Sequence, residues 1–194
     1  MTLLARRRAR SGAVIALGVL LALAGCSDEA APSASMPSAS PPPPTVPQHQ
    51  DQQAGFALTP PAGFLQVNTA DDPSVTAMFT LPGDGPNTVR ANLTISAAPT
   101  KVDLLALIAS SRRLLRTAFP DYQSTVDEPI RLPGGQQGWL LGGVYTLRGV
   151  RAHNLQLLLI AHHTSYVFTG LTTETIFREF DQAFRETFNS VTVQ

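Results

Sequence analysis

The chain has 194 residues, of which 43% are hydrophobic and 14% charged, and its formal net charge at pH 7 is zero. All fourteen acidic residues but only ten of the fourteen lysines and arginines follow Cys26, so the chain after that cysteine carries a net charge near −4. This balance gives no electrostatic case for nucleic-acid binding and shows no polybasic run for anionic lipids. Cys26 is the only cysteine, which excludes a disulfide within one chain.

Residues 1–25 have the order of a secretory signal peptide. A basic start with four arginines precedes an apolar run over residues 13–24, which is too short to span a bilayer as a permanent helix. The basic start lacks the rest of a twin-arginine motif, so general secretion is favoured.

The end of this leader resembles a bacterial lipobox, formed by Leu23, Ala24, Gly25 and Cys26. In such a motif, signal peptidase II cuts before the cysteine once its thiol is lipidated. The resemblance implies N-acyl and S-diacylglycerol groups on Cys26. Because two or more acyl chains anchor a protein stably, we expect the mature protein to be anchored by lipid to the outer face of the cytoplasmic membrane, in the cell envelope.

Residues 26–54 are rich in alanine, serine, proline and glutamine and hold little to bury. Such a segment cannot offset its ordering entropy, so it is predicted to be a disordered tether. Pro41–Pro44 should be locally extended, and a spacer is favoured over a polyproline recognition site. The remaining residues, 55–194, suffice for a single folded domain.

The folded part begins with the short apolar segment 56–58 and then shows six strand patterns with alternating or continuous apolar residues. These are residues 75–81, 89–97, 124–132, 138–147, 153–162 and 165–171. The last three carry apolar residues on both faces, so they should be covered on both faces. The short spacing among them predicts antiparallel hairpins.

Two amphipathic helices complete the pattern. The first is predicted to begin at Thr100 as N-cap and to end at Phe119 and Pro120. The second should begin at Thr172 or Thr173. Its apolar stripe consists of Ile176, Phe177, Phe180, Phe184 and Phe188. Such an aromatic stripe is far more often core than a cofactor site. The prediction is an α+β fold: an antiparallel sheet of about six strands with helices on both faces, a three-layer α/β/α sandwich.

Residue types that carry chemistry are scattered. There is no nucleophile elbow and no P-loop, and Gly134, Gly135 and Gly138 fit a hairpin turn better than a nucleotide loop. His162 and His163 look like a metal pair. If both lay on a strand, they would point to opposite faces, so a structural role is favoured over zinc. His153 would lie at the other end of that strand. No cofactor or metal site is predicted.

Charged groups allow two further sites. Asp71–Asp72 and Asp127–Glu128 are acidic pairs that a general acid–base mechanism would require, although solvated turns explain them more simply. Three arginines near the end of the first helix, Arg112, Arg113 and Arg116, suit the helix dipole better than an anion site.

Several landmarks resemble the LpqN-type lipoproteins of mycobacteria and their relatives, which have the PsbP-like fold. They are the segment 56–64, Gly138–Trp139, residues 166–170 and residues 188–191. The abundance of arginine, alanine and proline also favours an actinobacterial source. The resemblance implies a non-enzymatic envelope protein and supplies no catalytic motif.

Three functions remain open at this stage. The first is a non-enzymatic accessory or binding module that docks envelope protein complexes. The second is a carrier of an envelope lipid or glycolipid in an apolar pocket between sheet and helix. The third, an envelope hydrolase, rests only on the scattered histidines, such as His162, and on the acidic pairs.

Overall fold

A computed structural model of the protein describes residues 48–85 and 89–194. The signal peptide, the lipobox, Cys26 and most of the tether lie outside the described residues. The expectations about them therefore stay predictions.

The described residues form ten strands, two α-helices and one short 3₁₀ helix. In chain order they are β1 (His49–Asp51), β2 (Phe56–Leu58), β3 (Leu65–Val67), β4 (Ala77–Pro82), β5 (Val89–Pro99), α1 (Leu104–Ala118), β6 (Gln123–Arg131), β7 (Gln137–Leu147), β8 (Val150–Ala161), β9 (Thr164–Thr173), the 3₁₀ helix (Glu174–Ile176), α2 (Phe177–Asn189) and β10 (Thr192–Val193).

The strands form two antiparallel sheets. The larger has seven strands in the order β3-β4-β5-β9-β8-β7-β6, and the smaller has the order β1-β2-β10. The six strands predicted from sequence correspond to β4 through β9. The prediction of a single sheet of about six strands misses β3 and the whole smaller sheet, because strands of two or three residues are too short to show alternation.

Strand β1 lies within the segment that the sequence assigned to the tether. Its residues pair with β2 from His49 opposite Leu58 to Asp51 opposite Phe56, and the Asp51 carboxylate accepts a hydrogen bond from the Ala54 amide at 2.9 Å. Ordered structure thus extends into the polar segment. The pairing of β1 with β2 is made mainly by backbone groups, so the amino-acid composition of the segment does not predict it.

The buried residues form two clusters. The first contains the α2 residues Phe177, Phe180, Phe184 and Phe188 together with Leu155, Leu157 and Leu159 of β8. The second contains the α1 residues Leu107, Ile108, Leu115 and Phe119 together with Leu158 of β8 and Leu141 and Tyr145 of β7. The clusters take alternate residues of β8, as expected for a strand with apolar side chains in both directions. The prediction that the aromatic stripe is core is confirmed.

The first helix begins later than predicted. The backbone N–H of Thr100 donates to the carbonyl of His163, and Thr100 is not the cap. Asp103 is the N-cap of α1, and its carboxylate accepts from the Ala106 amide at 2.8 Å. At the second helix, Thr173 is the N-cap, as predicted, but of a 3₁₀ turn that runs into α2 at Phe177.

The buried ring of Phe184 lies directly against Gly170 of β9. A Cβ atom added at Gly170 would fall 2.6 Å from this ring, a distance that real Cβ atoms do not tolerate. A strand glycine here permits the close approach of the helix side chain. The Phe184 side chain is 0% exposed, which makes it a central contact of α2 with the sheet.

We predict that Phe184→Ala lowers the free energy of unfolding by about 3–5 kcal/mol, because it leaves a cavity between α2 and β9. Urea denaturation of a soluble variant that begins at residue 27 measures the change. Leu65→Ala is the matched control. Leu65 is 59% exposed on β3, so its truncation should change the stability by no more than about 0.5 kcal/mol. Equal losses in the two variants would contradict the packing described.

Candidate binding groove

An apolar groove of about 620 Å³ lies between the first half of α1 and the strands β6 and β7. This volume is within the range of small-molecule pockets, roughly 300–1,000 Å³. The lining residues are Asp103, Leu104, Leu105, Ile108, Pro129, Ile130, Arg131, Gln137, Gly138 and Trp139. We call this feature the groove.

Helix and strand periodicity explain why these side chains face each other. Leu104, Ile108 and Arg112 recur at intervals of four residues and share one side of α1. Alternate residues of β6 share one face of the strand, and Asp127 and Pro129 lie opposite Leu141 and Trp139 of β7. The contact of Arg112 with Asp127 sets the two elements against each other.

Beside the groove, three side chains contact one another, and we call them the clamp: Arg112, Asp127 and Trp139, of which Trp139 lines the groove. Arg112 donates to both carboxylate oxygens of Asp127, its Nε at 2.9 Å. The indole N–H of Trp139 donates to the same carboxylate at 2.7 Å. The guanidinium lies over the indole ring at 5.5 Å from its centroid, as in a cation–π contact.

The clamp shifts the titration of its charged members. Hydrogen bonds from Arg112 hold the pKa of Asp127 below its usual value, the indole N–H of Trp139 adds to this, and burial opposes it. The carboxylate of Asp127 likewise raises the pKa of Arg112. The ion pair of Arg112 and Asp127 is therefore retained at neutral pH, and the clamp is a preformed polar surface beside the groove.

The lining of the groove also includes three polar side chains, Asp103, Arg131 and Gln137. The Asp103 carboxylate is engaged as the cap of α1, and Arg131 donates to the carbonyl of Gly135 at 3.3 Å. Leu105, another lining residue, is 71% exposed. The lining therefore combines apolar surface that is accessible to a partner with a few polar groups.

Strand β6 is an edge of the larger sheet, but its outer edge is poorly suited to pairing. Pro129 supplies no backbone N–H, a register shift interrupts the ladder between Ser124 and Val126, and Asp127 and Glu128 carry charge. These are devices that protect edge strands from adding a further strand. Recognition at this side of the molecule is therefore expected to use the groove and its side chains.

The histidines singled out by sequence are not brought together. His162 and His163 occupy the turn between β8 and β9 with φ of 49° and 61°, so the expectation that they lie on a strand is wrong. His153 stacks on Phe177 with ring centroids 3.5 Å apart and lies 3.0 Å from the Thr125 hydroxyl. Burial lowers the pKa of His153. Within residues 48–85 and 89–194, no three metal-ligating side chains are grouped to hold an ion.

The remaining charged candidates separate in space. Asp72 accepts from the hydroxyl and backbone N–H of Ser74, which lowers its pKa in a local turn. Asp127 belongs to the clamp, whereas Arg113 and Arg116 are exposed. Of the helix arginines, Arg112 thus has a specific partner. The sequence analysis did not identify Leu105, Pro129 or Arg131 as site residues. Leu105 could have been identified, because it is a large apolar residue on the otherwise polar side of α1.

None of the helices in the described segments is long and apolar enough to cross a membrane.

We predict that the clamp opens in acid. The pKa of Asp127 is lower in the folded state than the unfolded value near 3.9, so its stabilising contribution is present above about pH 4 and is lost as the pH falls through the folded pKa. Trp139 is the only tryptophan, so its fluorescence reports this step directly. The emission of the parent chain should shift below about pH 4, whereas Asp127→Asn should show the shifted emission already at pH 7.

Asp181→Asn is the control for this titration, because Asp181 pairs with Arg185 on α2, away from the clamp. Far-UV circular dichroism at each pH separates clamp opening from unfolding. An unchanged acid step in Asp127→Asn would contradict the assignment.

No protein-family model and no curated protein matches the chain. Solved structures resemble it at low sequence identity. Cyanobacterial PsbP from Synechocystis sp. PCC 6803 has a TM-score of 0.59 at 14% identity, with 76% of this chain and 92% of that chain covered. LpqN of Mycobacterium tuberculosis, described as involved in cell envelope biogenesis, has a TM-score of 0.54 at 15% identity, with coverages of 72% and 83%. A variant of the protein Mog1 has a TM-score of 0.55 at 10% identity, with coverages of 76% and 95%. These likenesses show the fold alone, and the fold is PsbP-like.

Proposed function

We propose that this chain is a lipid-anchored, non-enzymatic accessory protein of the cell envelope whose folded domain docks an envelope protein complex through the groove. The observation that carries the proposal is the groove itself: an apolar cleft with an exposed lining residue, Leu105, and with the preformed clamp beside it. Docking sites are typically built around such anchors.

The residues of the clamp support a protein partner. Tryptophan and arginine are enriched among the residues that dominate binding energy in protein interfaces. The indole N–H of Trp139 and two N–H donors of Arg112 already bond to Asp127, so an apolar side chain that binds beside them does not cost these donors their partner. The groove is thus organised before a partner arrives, which lowers the entropic cost of association.

The placement in the envelope combines two arguments. Cys26 and its lipobox predict a lipid anchor, and one structural neighbour, LpqN, is described as involved in cell envelope biogenesis. We assign the chain to the LpqN-type lipoproteins of actinobacteria on the landmark residues and the shared fold. Non-enzymatic action follows from the same assignment.

We also infer that α1 and α2 cover opposite faces of the larger sheet, as in a three-layer sandwich. Support comes from β8, whose odd-numbered leucines share a cluster with α2 and whose Leu158 shares a cluster with α1. In this arrangement the groove lies on the α1 side. The α2 side, with its aromatic stripe, serves as the structural core.

The second candidate, a carrier of an envelope lipid or glycolipid, is favoured by the volume of the groove. A second cavity beneath α1, beside Ser111 and Gln156, measures only about 40 Å³. That volume holds about one water molecule, whose share of liquid volume is about 30 Å³. An acyl chain would therefore have to occupy the groove, and both candidate functions compete for the same site.

We predict that Cys26→Ala moves the protein from the membrane fraction to the soluble fraction without unfolding the domain. The substitution removes the acceptor of the acyl chains and lies outside the folded residues. Fractionation with a salt wash, followed by immunodetection, measures the change. Ser27→Ala, beside the predicted cleavage site, is the control and should stay membrane-bound. Retention of Cys26→Ala after the wash would contradict the anchor.

We predict that a photo-crosslinking residue at position 129, inside the groove, captures a specific envelope protein in intact cells. The same residue at position 133, in the exposed turn between β6 and β7, should capture it far less, because Pro133 does not line the groove. Mass spectrometry identifies the adducts. A lipid adduct at position 129 would favour the carrier, and the absence of a reproducible adduct would count against both candidates.

A further inference from the structure

Three loops meet at one end of the larger sheet. The backbone N–H of Thr100 donates to the carbonyl of His163 at 2.7 Å, which joins the segment before α1 to the β8–β9 turn. The side chain of Gln136 donates to the carbonyl of Ile160 at 3.0 Å, which joins the β6–β7 turn to the same place. We call the resulting surface the loop end; it comprises residues 100–105, 131–137 and 162–163.

Exposed apolar side chains are concentrated at the loop end. Val102 is 49% exposed and Leu105 is 71% exposed, and only three positions separate them. Two further large apolar side chains are exposed in the described residues, Leu65 and Leu114, and both lie elsewhere. Two of the four large apolar side chains exposed in the described residues thus belong to the loop end.

Two cations belong to the loop end. Lys101, the only lysine of the chain, and Arg131 are both exposed, and the carboxylate of Asp103, the cap of α1, is the one opposing charge among the residues of this surface. Two positive charges and one negative charge give the loop end a net charge of +1, whereas the chain after Cys26 carries a net charge near −4. This end is therefore locally more positive than the rest of that chain.

The β8–β9 turn adds two histidines in an unusual conformation. Both His162 and His163 have positive φ, in the region where a turn normally carries asparagine or glycine. A two-residue hairpin turn requires positive φ at both positions, and histidine is among the non-glycine residues enriched in this region. Both side chains are exposed, and imidazole combines an apolar ring with a polar edge, which suits an interface between water and lipid.

We propose that the loop end is a membrane-docking surface that rests on an anionic lipid bilayer, with Val102 and Leu105 at the headgroup level and Lys101 and Arg131 facing lipid phosphates. The charge difference between this end and the rest of the chain orients the domain on such a surface. The proposal rests on the lipid anchor of the proposed function. Cys26 lies only 23 positions before His49, so a lipid anchor there would keep the domain close to the bilayer.

The anchor also makes a weak contact sufficient. A domain tethered to a surface by a short chain experiences an effective concentration in the millimolar range, so the loop end needs only a weak affinity of its own. A small patch of two apolar and two cationic side chains is adequate under that condition. A freely diffusing protein with the same surface would bind only weakly, at lipid concentrations in the millimolar range.

The test uses a soluble variant that begins at residue 27, with unilamellar vesicles of phosphatidylglycerol and phosphatidylcholine in equal parts. Co-sedimentation against lipid concentration should show weak binding. The double variant Val102→Gln, Leu105→Gln should lose about tenfold or more in partitioning. The matched control is Leu65→Gln, since Leu65 is comparably exposed on β3, and it should bind as the parent does. Circular dichroism verifies folding of each variant.

A second pair of variants tests the charge. Lys101→Gln with Arg131→Gln should abolish the preference for these vesicles over pure phosphatidylcholine, whereas Arg113→Gln with Arg178→Gln, at exposed arginines outside the loop end, should not. Three outcomes overturn the proposal: no binding up to millimolar lipid, equal loss in the Leu65 control, or loss of preference in the distant pair.

Failure here is distinguishable from failure of the proposed function. If the soluble variant does not bind vesicles but Cys26→Ala still releases the protein from membranes, the lipid anchor is supported and the membrane-docking surface is wrong. Val102 does not line the groove, so Val102→Gln alone should leave the protein crosslink at position 129 unchanged. If that variant abolishes the crosslink without affecting vesicles, the loop end is a protein surface and the membrane proposal is wrong.

Discussion

The close approach of Phe184 to Gly170 is the contact on which the arrangement of α2 depends. With any side chain at position 170, the ring would be displaced and α2 would be lifted from β9. The position of α2 in turn sets the smaller sheet, because β10 follows the helix after Val191 and pairs with β2. The chain leading from the predicted tether is held through β1 to that sheet. Through α2, Gly170 thus influences the positions of β1 and β10, the first and last strands of the described residues.

Gly143 has the corresponding role for the buried cluster that contains the α1 residues. The ring of Tyr122 covers Gly143 of β7, where an added Cβ would collide with the ring carbon that bears the hydroxyl. The neighbouring Asp121 carboxylate accepts from the Thr146 amide at 2.9 Å and pairs with Arg151. These contacts hold the connection between α1 and β6 against the sheet. They therefore set the separation of α1 from β6 and with it the width of the groove.

Regular elements of sufficient length were predictable, and contacts between distant positions were not. Alternation identified β4 through β9 because each has at least six residues, whereas β1 and β3 have three and carry no period. Thr100 looked like a helix cap, but its N–H is used by the β8–β9 turn, a partner sixty-three positions away that local pattern cannot show. The clamp joins Arg112 to Asp127 across 15 positions and Asp127 to Trp139 across 12. The three residues could be named from the sequence. Their contact could not be predicted, because it depends on the register of β6 on β7 and on the position of α1.

The groove and the loop end are parts of one geometry. Asp103 and Arg131 line the groove, and both residues also belong to the loop end. If the loop end rests on a bilayer as proposed, the part of the groove beside these two residues lies near the membrane. The groove would then meet partners at the membrane surface before partners in the surrounding envelope. Because the outer edge of β6 is protected by Pro129 and by charge, such a partner would be bound through side chains entering the groove rather than by strand addition.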